Sequence, residues 1–321
     1  MDILILLLGL AVLIVGGELL VRGAVGLSSA MKISPLVIGM TVVSFGTSAP
    51  ELLVSIQSAM GGNPGIAIGN VIGSNIANLA LVLGVTVIIF PIVAEKQTKM
   101  LDYPIMMFAS VLFYIFALNL NLEFVEGLVF VVILLSFTYY LIRKSRKSTK
   151  KEIAAKLESE AEAEEKESST GMSFLFLLGG MFGLYFGSGW FVGGATEIAR
   201  SFNLSDSVIG VTVVALGTSA PELVASIMAA LKKQSDISVG NLIGSNIFNI
   251  FAVLGITAMV KPIAVEQEVM SFDMWWMLGI SLLLVPVLYL GSKIGKLKGV
   301  ILLISYVTYI VLVVLRTKGI I

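Results

Sequence analysis

Long apolar runs alternate with short polar interruptions along almost the whole chain. After a first run from residue 2 to about 23, others fall at about 35–60, 65–90, 101–118, 124–142, 172–200, 206–231, 237–260, 271–290 and 299–315. Each approaches the roughly 20 apolar residues that a helix needs to cross a bilayer core. The pattern therefore predicts ten transmembrane helices, numbered 1 to 10 in chain order. The first run starts acidic and is long enough to span, so it is predicted to stay as helix 1 and not to be cleaved as a signal peptide. Glu18 and Arg22, four apart near its end, are expected to form a structural ion pair. One stretch breaks the rhythm: residues 143–170, RKSRKSTKKEIAAKLESEAEAEEKESST, are almost wholly polar, basic first and acidic later. It is predicted to be a solvated helix or a tether, too short for a folded regulatory domain.

Inside the apolar pattern one polar motif pair occurs twice. TVVSFGTSAPELL at 41–53 precedes GNVIGSNIANLALVLG from Gly69, and TVVALGTSAPELV at 212–224 precedes GNLIGSNIFNIFAVLG from Gly240. A shift of 171 aligns 34–91 with 205–262 without a gap, and 31 of those 58 positions are identical. The chain is an internal duplication. Its predicted organisation is a first five-helix repeat (1–142), a charged linker (143–170) and a second five-helix repeat (171–321). Because five is odd, the second repeat enters the bilayer from the opposite face, so the repeats are inverted copies. Following the spans, 17 of the 21 Lys and Arg fall on one face and 4 on the other. The rich face is expected to be cytoplasmic, with the linker there and both termini extracellular. Gly61 and Gly62 in one copy correspond to Lys232 and Lys233 in the other, as loops on opposite faces require.

Composition settles the solvent. Hydrophobic residues make up 57% of the 321 and charged residues 13%, with a mean hydropathy of +1.00, against roughly 25% charged in a soluble domain. The fold class expected is an all-α integral membrane protein. Cys and His are both absent, which removes thiolate and imidazole ligands and the commonest general base. No cofactor and no nucleic-acid or protein partner is predicted; the surroundings are lipid.

The chemistry left is that of oxygen. Glu51 and Glu222 lie midway along helices 2 and 7, where a carboxylate costs about 2.5–3.5 kcal/mol on insertion scales, while the Lys and Arg fall in or near the loops. Two acids without a basic partner invite a cation. Pro50 and Pro221 free the carbonyls of Gly46 and Gly217, so helices 2 and 7 are expected to be broken there. Ser74 and Asn78 share a face of helix 3, and Ser245 and Asn249 a face of helix 8. Gly69, Gly73, Gly240 and Gly244 let helices 2, 3, 7 and 8 converge. Two carboxylates and a carbonyl from each broken turn supply about six oxygens, suited to Ca²⁺ better than to Mg²⁺. The hydroxyls of Ser48, Ser74, Ser219 and Ser245 are placed to complete flanking sites for a monovalent ion.

GTSAPEL paired with GN(V/L)IGSNI, duplicated and inverted, resembles the repeats of the sodium/calcium exchangers of the cation/calcium antiporter superfamily, in a short prokaryotic form. The resemblance implies Na⁺/Ca²⁺ antiport by alternating access at the cell membrane, with Ca²⁺ and Na⁺ as the transported ions. Carried over, Glu51 and Glu222 would be the Ca²⁺ carboxylates, and Thr47 and Thr218 would give it backbone carbonyls. The carbonyls of Ser44 and Ala215, with Ser48, Ser74, Ser219 and Ser245, would form Na⁺ sites, and Asn78 and Asn249 would line the centre. Helices 1 and 6 would slide across the other eight. Potassium-dependent members tend to carry Asp at the position of Asn249, so the resemblance implies K⁺ independence. The proton-coupled branch shows a GNA-type motif in place of GTSAPE, which favours Na⁺. With three Na⁺, the family's usual number, against one Ca²⁺, exchange would be electrogenic.

The nearest alternative is a proton/calcium antiporter. A cation channel would need no counter-ion. An intramembrane enzyme is disfavoured, since the serines of the duplicated motifs lie beside no His or Lys, no GxSxG occurs, and neither Asp102 nor Asp206 belongs to a mid-span pair. No nucleotide-binding loop of the GxxxxGK[ST] type is present either.

Overall fold

A computed structural model of the chain describes residues 2–158, 170–202, 215–291, 293–317 and 319–320. The architecture is all-helical apart from two-residue strand pairings. In chain order the helices are α1 (Asp2–Met31), α2 (Pro35–Met60), α3 (Pro64–Ile89), α4 (Thr98–Asn119), α5 (Phe124–Glu158), α6 (Thr170–Ser201), α7 (Ala215–Thr218 and Ala220–Leu231), α8 (Ser235–Val260), α9 (Gln267–Tyr289) and α10 (Lys296–Thr317). Nine of these, all but α7, are long and apolar enough to cross a membrane among the described residues. The predicted start of helix 7, 206–214 with Asp206, lies outside the described residues.

Burial sorts the helices into an inner and an outer set. α2, α3 and α8 are the most enclosed, and they carry the Ser, Thr and Asn of the duplicated motifs. α1, α5, α6 and α10 keep rows of large apolar side chains exposed, among them Leu4, Leu7, Leu135, Phe182 and Ile304, as lipid-facing helices must. α10 packs on α3 and α5 on α8, while α4 packs on α8 and α9 on α3. Each outer helix thus covers a central helix of the other half. Short pairings tie the loops in the same crossed manner: β1 (Asn121–Leu122) runs antiparallel to β2 (Ile263–Ala264), and Ile92 bridges Ile294.

One feature departs from the sequence reading. α2 is not broken at Pro50: it runs on through Met60, and the irregularity lies earlier, in a widened π turn at Gly39–Val43. The extra residue in that turn displaces carbonyls from the helical ladder, and side chains take them up. Ser44 Oγ donates to the Gly39 carbonyl at 2.8 Å and Thr41 Oγ1 to that of Val37 at 2.7 Å. α7, by contrast, does leave the helix, at Ser219 (φ −90°, ψ 5°) just before Pro221. α5 continues as helix from residue 142 to Glu158, roughly 24 Å further at 1.5 Å per residue. The first part of the linker is therefore helical, and the acidic residues 159–169 lie outside the described residues.

α1 and α6 run against each other along their whole lengths. Small residues make this possible: a Cβ built on Gly180 would sit 2.4 Å from the Leu20 backbone nitrogen, whereas one built on Gly189 of the same helix would meet no described atom within 4 Å. Without a hydrophobic driving force between helices in lipid, such close backbone contact supplies the association energy. Ala gains about 1 kcal/mol over Gly in a helix interior at either position, so packing decides the sign. Gly180→Ala is expected to lower the melting temperature in detergent by several degrees and Gly189→Ala to leave it unchanged or raise it, as read by fluorescence-detected unfolding.

Candidate functional site

The two motif glutamates lie where the inner helices meet. Glu51 of α2 is 2% exposed and Glu222 of α7 is fully buried, and their helices touch. α3 and α8 each contribute a second widened turn, at Ala77–Val82 and Asn249–Leu254, which hold Asn78 and Asn249. The turn of α8 packs on α2 beside Glu51's helix, and the turn of α3 on α7 beside Glu222's. Residues identical in the two repeats thus converge from four helices on one region.

Polar satisfaction fails there as a group. Both carboxylate oxygens of Glu51, Oε2 of Glu222, Oγ of Ser74 and Ser219, and both side-chain amide atoms of Asn78 and Asn249 are buried without a hydrogen-bond partner among the described residues. Buried polar groups are otherwise almost always paired, and an unpaired buried carboxylate is the costliest kind. Ser48 Oγ makes a long 3.5 Å contact to Glu222 Oε1. Basic side chains pair elsewhere, Arg22 and Lys232 with Glu18 (2.5 and 3.1 Å) and Arg200 with Glu197 (2.7 Å), at partly exposed positions. The Glu18–Arg22 pair matches the sequence expectation, with Lys232 as an added partner.

Other predicted residues sit in a well-made network on one side of this cluster. Thr47 Oγ1 donates to Asn241 Oδ1 at 3.2 Å and lies 3.3 Å from Ser245 Oγ. Ser44 Oγ, besides its Gly39 bond, reaches the Asn241 carbonyl at 3.0 Å. Thr218 closes the short helical turn of α7 and is half-buried. Ala215 opens that turn, and its side chain lies outside the described residues.

Sequence reasoning passed over four residues. Asn70 Nδ2 donates to the Glu51 carbonyl at 3.2 Å and to Ser55 Oγ at 3.1 Å, and in the other half Asn241 Nδ2 donates to Ser226 Oγ at 3.1 Å. These bonds fix α2 to α3 and α7 to α8 one turn from each glutamate. The signal was available, since Asn70 with Asn241 and Ser55 with Ser226 are identical across the 171-residue shift.

Gly240 and Gly244 are buried against α2, where an added Cβ would stand 2.5 Å from the Leu36 carbonyl and 2.3 Å from Ser44 Oγ. The residues that stand in the equivalent relation to Gly69 and Gly73, in 207–214, lie outside the described residues.

Two buried acids from equivalent positions, with orphaned oxygens around them, make this cluster the candidate cation site. The sequence profile of the family described as "Sodium/calcium exchanger protein" matches residues 1–143 and 172–315. The chain belongs to this family. Among curated relatives of the exchanger, the putative antiporter CaxA of Alkalimonas amylolytica is 36% identical over 307 residues, covering 94% of this chain and 95% of the relative. The sodium/calcium exchanger MaX1 of Methanosarcina acetivorans is 33% identical, with 97% of each covered. Among solved structures, the sodium-calcium exchanger NCX_Mj soaked with Na⁺ and Sr²⁺ superposes with a TM-score of 0.81 at 32% identity, covering 97% of both chains. The protein is a multi-pass membrane protein and a cation/Ca²⁺ antiporter, with cations as its cargo.

Two like charges held in a poorly solvated site oppose folding when the site is empty, by about 1–3 kcal/mol at a protein-like dielectric. Glu51→Gln removes one charge with little change of shape. It is expected to raise the melting temperature of the exchanger in Ca²⁺-free detergent and to abolish the rise that saturating Ca²⁺ gives the unmodified protein, about 2.7 kcal/mol at 100 times its Kd. A thermal-shift titration with Ca²⁺ checks both.

Proposed function

We propose that this exchanger couples Na⁺ entry to Ca²⁺ extrusion across the cell membrane by alternating access, electrogenically and without K⁺. The observation that carries the reading is the pair of buried glutamates whose oxygens face no basic side chain, one from each copy of the duplication. Glu51 and Glu222 hold Ca²⁺ with the carbonyls of Thr47 and Thr218. Na⁺ occupies flanking positions made by the Ser44 and Ala215 carbonyls and the hydroxyls of Ser48, Ser74, Ser219 and Ser245, with Asn78 and Asn249 lining the centre. Two carboxylates neutralise one Ca²⁺, whereas three Na⁺ leave one positive charge, so exchange moves net charge.

The frame for this cycle is ten spans in two inverted repeats, 1–142 and 171–321. The linker 143–170 is cytoplasmic and both termini are extracellular. Inversion supplies the mechanism. Exchanging the environments of the two repeats would close one side of the site as it opens the other. Several observations favour Na⁺ as the coupling ion. MaX1 and NCX_Mj are both named as sodium/calcium exchangers, and both copies here carry GTSAPE. The sodium/potassium/calcium exchanger 4 of Homo sapiens aligns over only 48% of the chain and 25% of its own length, and this chain has an amide at Asn249.

Radiolabelled Ca²⁺ uptake into proteoliposomes loaded with Na⁺ and diluted into Na⁺-free buffer tests the reading. Uptake is expected to need internal Na⁺, to ignore an imposed pH gradient, to respond to a valinomycin-set potential, and to disappear in Glu222→Gln. Uptake driven by the pH gradient without Na⁺ would make the protein a proton/calcium antiporter.

A further inference from the structure

The ion pair between Glu18 and Lys232 crosses from α1 to the turn between α7 and α8, at 3.1 Å. Arg22, one turn further along α1, holds the same carboxylate from within its own helix. The apolar contact beside the pair is close as well. A Cβ added to Gly17 would stand 2.8 Å from Val224 Cγ1 and 3.2 Å from Met228 Cγ, so α1 lies against the second half of α7.

The duplication supplies the comparison. The same shift of 171 carries Gly9, Gly16 and Gly23 of α1 onto Gly180, Gly187 and Gly194 of α6, and α6 therefore stands to α2 as α1 stands to α7. Among the described residues the other half lacks the matching contact. Val224 and Met228 are half-buried, whereas their equivalents Leu53 and Gln57 are exposed. Ser188, the equivalent of Gly17, donates its hydroxyl to the Tyr185 carbonyl of its own helix at 2.9 Å. α6 meets α2 earlier, where Met181 lies against Gly46. The charges have no counterpart either: Gly189 stands at the position of Glu18, Gly193 at that of Arg22 and Gly61 at that of Lys232.

We infer that the Glu18–Lys232 pair is a one-sided latch that biases the exchanger toward the conformation in which α1 lies on α7. The inference rests on the alternating-access reading. Inverted repeats switch by exchanging environments, so in the other conformation α6 lies on the second half of α2, and α1 leaves α7 as α6 now stands off from Leu53 and Gln57. That step parts Glu18 from Lys232, and Gly189 and Gly61 bring no charges to replace them. Both charges are partly exposed, so the pair is weak. Its whole strength nevertheless falls on one side of the equilibrium, which is what shifts a two-state ratio. Arg22 keeps Glu18 paired when Lys232 is lost, so the latch opens without leaving a bare carboxylate.

The chain has no cysteine, so spin labels on Val15→Cys of α1 and Lys233→Cys of the α7–α8 turn, both exposed positions, report this separation by pulsed electron paramagnetic resonance in nanodiscs. Two distances are expected, the shorter one favoured. Glu18→Gln and Lys232→Gln are each expected to lower the short-to-long ratio by up to about five-fold, and the double variant no further. Arg22→Gln, which breaks a bond within α1 only, is expected to leave the ratio unchanged or raise it. A ratio unmoved by Glu18→Gln and Lys232→Gln, losses that add in the double variant, or an equal loss in Arg22→Gln would overturn the latch alone. A single distance in every variant, with Na⁺, with Ca²⁺ and with neither, would overturn the alternating-access reading along with it.

Discussion

Two carboxylates buried without a counter-charge are the constraint to which the rest of this structure answers. A single buried carboxylate costs several kcal/mol even after relaxation, and here two face each other in a bundle wrapped by lipid. Nothing in a stability argument would keep them, because apolar residues of the same volume would pack as well. On the proposed reading they persist as cation ligands. The surrounding hydroxyls and amides are equally unpaired among the described residues, so the same reading assigns them to the ions.

Holding those acids in place requires unusual backbone. Helices of regular pitch keep their carbonyls to themselves, and the inner helices escape this by widened turns in α2, α3 and α8 and by the interruption of α7 at Ser219. Widened turns are weak points unless side chains or neighbours secure them. Ser44 and Thr41 do so in α2. The Asn70 and Asn241 amides then pin the glutamate-bearing helices to α3 and α8. Around this core, the close glycine-mediated contact of α1 with α6 makes those two helices a unit of their own, and the crossed packing of α5 on α8 and α10 on α3 binds the two halves together.

Much of this was legible in the sequence, for a physical reason. Duplication acts as a filter: what two copies share after divergence marks the positions where substitution is least tolerated, and in lipid these are the polar ones. Glu51 and Glu222 stood out because acids at membrane depth need an explanation, and Asn78 and Asn249 because they fall one turn from Ser74 and Ser245. The break expected in α2 was illegible because Pro50 removes only one ladder bond, which a helix clamped between neighbours tolerates, whereas the π turn at Gly39–Val43 leaves no signature in composition. Helix through 158 was one of the two forms expected of the linker, because RKSRKSTKKEIAAK is rich in good helix formers that extend a helix already nucleated in α5.

The central claim is that one cluster of oxygens serves Ca²⁺ and the coupling ion alternately. Ca²⁺ affinity measured by titration calorimetry on the purified protein, across a series of Na⁺ concentrations at constant ionic strength and pH, tests it most directly. The account predicts that the apparent Kd for Ca²⁺ rises more steeply than the first power of Na⁺, because several Na⁺ must leave before Ca²⁺ enters. A Ca²⁺ affinity indifferent to Na⁺ would contradict it.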